Sequence, residues 1–458
     1  MKYNFKDEDL IIKPYKNDSP VYVRKQKGKY QRIRKFTGFI FISLFLLLPW
    51  LEYQGQQAIL LDIDTQQFRI FSQTFFPQDL TLLALLLVVG CFLLFFITTW
   101  LGRIWCGYLC PQTVWMFTYI WVEEKIEGTR NQRIKLDQRQ ISINKIIRKT
   151  AKHSVWLLMS LLTAACFISY FSPAAQLYSD LLTLNCSDTI TGWIAFFTLC
   201  TYGNAGWLRE KMCIYMCPYS RFQSAMFDQN TFLVAYDKKR GETRGVRKRN
   251  EDNTNLGDCV DCNLCVDVCP AGIDIRNGLQ YECINCGACV DACDQTMQNF
   301  KYPKGLISYT SENNLSGEKT RLFRGKILGY ASLSIVFIAL MVNTITSRIP
   351  LEVSISRDRN ALYQLDFNDN VSNTYLIKIT NKSQLRQDYS IKMDGNNQAA
   401  LKLPDAISVN ASEAINIPVT LTLSAQDIKA RISNVTFVIS AITVPDVLLS
   451  KTTRFYSK

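Results

Sequence analysis

Cys259-Val-Asp-Cys262-Asn-Leu-Cys265-Val-Asp-Val-Cys269-Pro270 is echoed 24 residues later by Cys283-Ile-Asn-Cys286-Gly-Ala-Cys289-Val-Asp-Ala-Cys293-Asp294. Each quartet reads C-x2-C-x2-C-x3-C. The two-residue gaps wrap a short loop around one cubane, so three thiolates reach three irons. The fourth cysteine points away and, in two-cluster ferredoxins, ligates the other cluster. The spacing therefore predicts one [4Fe–4S] cluster on Cys259, Cys262, Cys265 and Cys293. A second is predicted on Cys283, Cys286, Cys289 and Cys269. Gly272, Gly287 and Ala288 suit tight turns beside them. Zinc sites separate two C-x2–4-C pairs by a longer loop and do not match. Asp294 stands where a second proline is usual.

Outward from the quartets, the chain of 458 residues has room for two to four units. It has 16 cysteines, too dilute for a disulfide scaffold, and half of them lie between 259 and 293. Its one histidine, His153, excludes bis-His haem and His-rich copper or zinc sites; at the inner start of a span it reads as a surface or capping residue. With 48% hydrophobic and 20% charged residues the chain is not disordered. Residues 80–101 hold no charge at all, which excludes an ordinary soluble protein.

Five stretches are apolar enough to cross a bilayer: 36–53, 80–101, 154–172, 190–207 and 327–346. The fourth is Gly- and Thr-rich, and a half-buried core helix is its bland reading. Lys and Arg number 11 in residues 1–35, 10 in 102–153 and 17 in 204–326, but one (Arg69) in 54–79 and none in 173–189. The positive-inside rule then predicts a cytoplasmic N-terminus, a cytoplasmic cysteine-rich segment and an outside C-terminus. It also accounts for the net charge of +13 without nucleic acid. Basic runs such as Lys238–Arg240 and Arg244–Arg249 become solvated or lipid-facing inner loops. Cytoplasmic reducing conditions disfavour disulfides. The expected organisation is a basic segment 1–35, a membrane domain 36–207 with four spans, a cytoplasmic segment 208–326 with its ferredoxin-like core at 256–300, a fifth span 327–346 and a last domain 348–458. That last domain has no cysteine and alternates in strand fashion at Tyr375–Thr380, Ala414–Leu423 and Val435–Ala441, with a turn at Asp394–Asn397. It reads as an immunoglobulin-like β-sandwich.

Two further motifs share the form C-x3-C-P: Cys106-Gly-Tyr-Leu-Cys110-Pro111 and Cys213-Ile-Tyr-Met-Cys217-Pro218. On a helix, positions i and i+4 share a face, so each pair offers two soft thiolates. The proline frees carbonyls. Both fall at the expected cytoplasmic membrane edge. They could form one S4 site or two S2 sites for Cu(I), zinc or iron–sulfur, against the bland reading of small buried cysteines. The quartets begin about 40 residues beyond Cys217 in a charged segment, so the two sets are expected to lie apart. Cys91, Cys166, Cys186 and Cys200 read as packing residues.

These residues together resemble the FixG/RdxA/CcoG family of membrane polyferredoxins. The resemblance covers nearly the whole chain. It rests on Pro49-Trp50, Phe76-Pro77-Gln78-Asp79, Cys106 through Val114, Cys217-Pro218-Tyr-Ser-Arg221-Phe222-Gln223, Gly257 through Ile275, Gly278 through Cys283, and Asp291-Ala-Cys293-Asp294. It implies a bacterial inner-membrane protein with a C-terminal Ig-like domain. The implied role is copper handling for assembly of cbb3-type cytochrome oxidase, with reduction of Cu(II) to Cu(I) as the activity. Copper-handling and oxidase-assembly proteins are the implied partners. From their motifs, not from the resemblance, Cys106, Cys110, Cys213 and Cys217 are the candidate copper-facing and catalytic residues. Two other readings stand beside it: a quinol- or ferredoxin-linked relay without copper chemistry, and a redox-sensing assembly scaffold. The sequence shows neither a dinucleotide-binding glycine fingerprint nor a P-loop, so the electron donor is expected to be a protein or a quinol.

Overall fold

The computed structural model describes residues 21–457 except 54, 72, 248–255, 359–361, 366–369, 384, 395–399, 404–406, 412, 425–429 and 443–446. The first 20 residues of the basic segment, part of the turn expected at 394–397 and the end of the basic run 244–249 thus lie outside the described residues. The helices are α1 (Lys29–Leu47), α2 (Leu80–Leu101), α3 (Ile104–Tyr108), α4 (Pro111–Glu127), α5 (Arg130–Gln138), α6 (Ile143–Ile168) and α7 (Ala174–Thr183). They continue with α8 (Asp188–Thr201), α9 (Pro218–Met226), α10 (Lys238–Gly241), α11 (Leu264–Asp267), α12 (Ala288–Asn299), α13 (Glu312–Ser316) and α14 (Gly325–Thr346). The chain forms two compact units: Met1–Leu47 with Val88–Ile168 and Thr183–Phe337, and Leu48–Leu87 with Ser169–Leu182 and Ile338–Lys458.

Four helical segments are long and apolar enough to cross a membrane: Lys29–Trp50, Leu80–Leu101, Ile143–Ile168 and Gly325–Thr346. α2 and α14 keep large apolar side chains such as Leu83, Leu87, Ile335 and Leu340 on their outsides. A helix apolar all round needs an apolar surrounding, and lipid supplies it. The stretch 190–207, expected as the fourth span, is not among these four segments. α8 has 14 residues, and its helical course continues without a break as far as Leu208. From Tyr202 to Leu208 the chain passes into a π-helix, and a second π-helical turn covers Met212–Met216. Two other spans also shift. The first starts at Lys29, not 36, and the third ends at Ile168, before the polar Ser169.

In the first unit, α4, α6 and the π-helix pack around buried Tyr119, Trp156 and Ala205. Buried Glu123 pairs with Arg133 at 3.2 Å and Arg209 at 3.0 Å, and Glu127 pairs with Lys152 at 2.9 Å. His153 is neither a cap nor a free surface residue. Its ring stacks on Trp207 with centroids 5.8 Å apart, and its Nδ1 meets the Tyr202 hydroxyl at 2.9 Å. The cysteine-rich segment hangs from an antiparallel strand pair, Leu233–Tyr236 with Ile307–Thr310.

The second unit contains the expected β-sandwich. One antiparallel sheet joins Ala400–Lys402, Ala414–Leu423, Val371–Asn381 and Leu351–Arg357, with Gln364–Leu365 beside Val371. The other joins Ile407–Val409, Gln387–Asp394, Ile432–Ala441 and Leu448–Tyr456. Alternate residues Tyr375, Ile377, Ile379 and Phe437, Ile439 fill the core between the sheets. Pro418 sits within a strand and cannot donate to a ladder. On one side Ala400–Lys402 pairs with Thr420–Thr422, and on the other Pro418 lies opposite Leu376.

Candidate metal centre

The two cysteine loops are built alike. Cys262 lies between Asp261 (φ 49°) and Asn263 (φ 56°); Cys286 lies between Asn285 (φ 52°) and Gly287 (φ 69°). All four flanking residues are left-handed, a backbone pattern from which anion-binding nests of N–H groups are built. At Gly287 a side chain has no room: a Cβ there would lie 2.9 Å from Tyr30.

Two cavities follow. Cys259, Cys262, Cys265 and Cys293 line one with Tyr236, Leu264 and Ile307. Cys269, Cys283, Cys286 and Cys289 line the other with Val234, Ile273 and Ile284; Cys265 also reaches it. So the fourth cysteine of each quartet sits with the other quartet's first three. Electrostatics repeats this grouping. Burial, together with the neighbouring Cys265, Cys259 and Cys262, raises the Cys293 thiol to about 12. Burial raises Cys269 as well, and its thiol neighbours are Cys286 and Cys283. Such thiols ionise only when a metal takes the proton's place. Among the described residues no three His, Cys, Asp or Glu side chains close on one metal ion. A cubane spreads its thiolates over four irons, so thiol-lined, apolar cavities fit it where a single zinc ion does not. Asp294 is placed too. Its carboxylate accepts the Gly305 N–H at 2.9 Å, and α12 runs through it to Asn299, whereas α11 ends at Asp267 before Cys269-Pro270.

The CxxxCP motifs also match each other. Four residues before the first cysteine stands a left-handed residue, Gly102 (φ 59°) or Arg209 (φ 44°). The second cysteine, Cys110 or Cys217, is extended and precedes a helix whose first residue is Pro111 or Pro218. Two residues after the proline, a hydroxyl donates to the first cysteine's carbonyl: Thr113 to Cys106 and Ser220 to Cys213, both at 2.6 Å. The pairs are therefore not i and i+4 of one α-helix, as expected from sequence. α3 ends at Tyr108, and Cys213 lies in a π-helical turn. The proline's lost N–H and ring clash explain the break, and the hydroxyls take up the carbonyls it frees.

The motifs meet. Arg103 Nη2 donates to the Ser220 carbonyl at 2.9 Å, and Gln112 Nε2 donates to the Asn204 carbonyl at 2.9 Å. Burial raises the Cys213 thiol to about 12, with Cys110, Cys106 and Cys217 adding to it. Burial raises Cys106 to about 11, against a hydrogen bond from Gln223 Nε2 at 3.2 Å.

Nor do the motifs lie apart from the quartets, which corrects the expectation from their spacing. Cys106 packs in one apolar cluster with Val268, Ile284, Cys286 and Ala288. Arg103 Nη1 donates to the Cys283 carbonyl at 3.1 Å, and Tyr108 donates to the Cys286 carbonyl at 3.3 Å. Sequence reading missed these docking residues, and it missed Asp291. That carboxylate, between Cys289 and Cys293, accepts the N–H groups of Tyr30 at 3.2 Å and Gln31 at 2.8 Å, at the first turn of α1.

Comparison with known proteins now has a fold and a site to attach to. Residues 208–312 match a 4Fe-4S dicluster domain, and residues 341–458 match the Ig-like fold at the C-terminus of FixG. RdxB of Cereibacter sphaeroides is 36% identical over 405 residues, covering 85% of each chain. The chain belongs to the FixG/RdxA/RdxB family. FixG of Rhizobium meliloti, named a nitrogen fixation protein, is 32% identical over 85% of this chain and 82% of its own. RdxA of C. sphaeroides is 35% identical over 88% of this chain and 87% of its own. A solved FixG-related protein from Vibrio parahaemolyticus is 28% identical, covers 24% of this chain and 97% of its own, and has a TM-score of 0.22. The dicluster match makes this family member an iron–sulfur protein, and its four apolar helical segments make it a membrane one.

Proposed function

We propose that the chain is a membrane electron carrier that reduces Cu(II) to Cu(I) at its CxxxCP thiols, for assembly of a cbb3-type oxidase. The observation that carries this reading is the packing of Cys106 against Cys286 and Ile284, which joins the CxxxCP thiols to the second cysteine cavity. Cys259, Cys262, Cys265 and Cys293 would hold one [4Fe–4S] cluster, and Cys269, Cys283, Cys286 and Cys289 the other. Bound there, the clusters supply electrons one at a time, which is the stoichiometry of copper reduction. Copper is the substrate. Cu(I) prefers thiolate over oxygen ligands, so Cys106, Cys110, Cys213 and Cys217 favour the reduced ion as it forms. No three of these thiols share one ion position among the described residues, so two-thiolate binding is the form proposed. The electron transfer itself moves no proton; the CxxxCP thiols release theirs as copper binds.

Cluster-loaded protein reduced with dithionite, freed of excess reductant, and mixed with Cu(II) and a Cu(I)-specific chelator tests the reading. One Cu(I) should appear per electron stored. Reduced clusters that persist alongside Cu(II) would sink it. The charge distribution further supports an inner bacterial membrane with the cysteine segment cytoplasmic and the Ig-like domain outside. A reporter fused after Lys458 that is active only in the periplasm fits that topology; activity in the cytoplasm removes one span and turns the sandwich inward.

A further inference from the structure

A cavity of about 400 Å³ opens between α1, α4, α6, α8 and the π-helix, beside the first CxxxCP motif. Its walls are aromatic: Phe41 and Phe45 stand edge-on to Trp115 at 5.8 and 5.4 Å, and Phe167 meets Phe197 at 4.7 Å. Its polar lining residues are Gln112, Thr163, Thr201 and Asn204, and Pro111 lines it too. No charged residue lines it. The size falls in the range of small-molecule sites, where flat apolar walls meet a few convergent polar groups.

Asn204 is the telling residue. It lies on the π-helix, a geometry that recurs at functional sites. Its backbone carbonyl accepts from Gln112, but its side-chain amide takes part in none of the hydrogen bonds among the described residues. An amide facing an apolar cavity between membrane helices is costly unless something pairs with it. A lipid acyl chain offers it nothing. A phosphate headgroup calls for cations, which the lining lacks.

We propose that this cavity seats the ring of a membrane quinone or quinol, with the Asn204 amide hydrogen-bonded to a ring oxygen and the ring between the aromatic walls. A planar, uncharged ring with oxygens at its edge matches both the aromatic walls and the polar lining. The site lies at the residue after Cys110, so a bound quinol, oxidised to quinone by giving one electron to each of the two clusters and its two protons to water, is the donor the electron-transfer reading leaves unnamed. Its role as donor rests on that reading; the binding does not.

The test is binding of decylubiquinone to full-length, cluster-loaded protein in lipid nanodiscs, followed by quenching of tryptophan fluorescence. Saturable binding at one site per chain is expected, weakened about tenfold in Asn204→Leu, the effect of losing one well-placed hydrogen bond in a dry site. Cluster absorption should be unchanged. Equal affinity in Asn204→Leu, or displacement of the quinone by oleic acid at the same concentration, would overturn the proposal and leave a lipid-filled groove. Should Asn204→Leu not fold, an azidoquinone photolabel on the native protein decides. Label on the peptides carrying Trp115 or Phe197 supports the site, and label elsewhere removes it. Copper reduction by dithionite-reduced protein needs no quinone. If that reaction proceeds while decylubiquinone does not bind, only the quinone site fails; if decylubiquinone binds but copper is not reduced, only the copper reading fails.

Discussion

Cys262 and Cys286 stand between left-handed residues, a backbone pattern suited to amide nests for anions. Cys110 and Cys217 stand before prolines, which have no amide to offer. Both arrangements are duplicated, and both bring their copies together, yet the ferredoxin loops exchange a cysteine whereas the CxxxCP motifs exchange hydrogen bonds through Arg103 and Gln112. The difference bears on charge. A nest of inward amides suits a permanent, anionic cluster and its thiolates. Thiols without such a nest are better suited to a soft cation that arrives and leaves.

The sharpest way to break this comparison is to remove thiols. Replacing Cys283 by Ser should cut iron from about eight to about four per chain, read by iron analysis and electron paramagnetic resonance. Cys269→Ser should injure the same cluster as Cys283→Ser. Injury instead to the cluster held by Cys259 would mean that the quartets do not exchange ligands. Replacing Cys106, Cys110, Cys213 and Cys217 together by Ser should slow Cu(I) formation at least about tenfold, with iron content near normal, since serine nearly conserves volume. Because Cys106 packs beside Cys286, iron loss in that variant would make the motifs part of the cluster fold.

Backbone changes sharpen the comparison further. Asp294→Pro should destabilise the first unit by about 3 kcal/mol, because α12 continues through residue 294 and an interior proline breaks it. Pro270→Asp, after the end of α11, should cost far less. Equal denaturation midpoints for the two variants would mean that the quartets' helices are interchangeable. The smallest effect expected is that of Asp291→Ala, about 1 kcal/mol, typical of a lost helix cap. Faster amide hydrogen exchange at Tyr30 and Gln31 is its signature, and unchanged exchange there would remove the cap.

The quartets and the sandwich were legible because their signals are local. Cysteine spacing sets a loop, and alternation at Tyr375–Thr380 sets a strand. The contact of Cys106 with Cys286 was not legible, since hydropathy places a residue at a depth but does not say what lies beside it. Arg103 read as one more inner-loop cation, although its guanidinium joins three segments. The π-helix at Tyr202–Leu208 leaves no periodic mark in so short a stretch.

Asp291 and the first turn of α1 are separated by about 260 residues along the chain. Synthesis runs from the N-terminus, so the first membrane helix is made and inserted long before the residue that completes its start exists. That turn is finished only when the dicluster loops fold, and clusters bound to their buried thiols would couple that folding to iron. In a cell short of iron, the protein would carry an unfinished N-terminal helix end, open to proteolysis at residues near Tyr30. Metal supply would then set how long each copy survives.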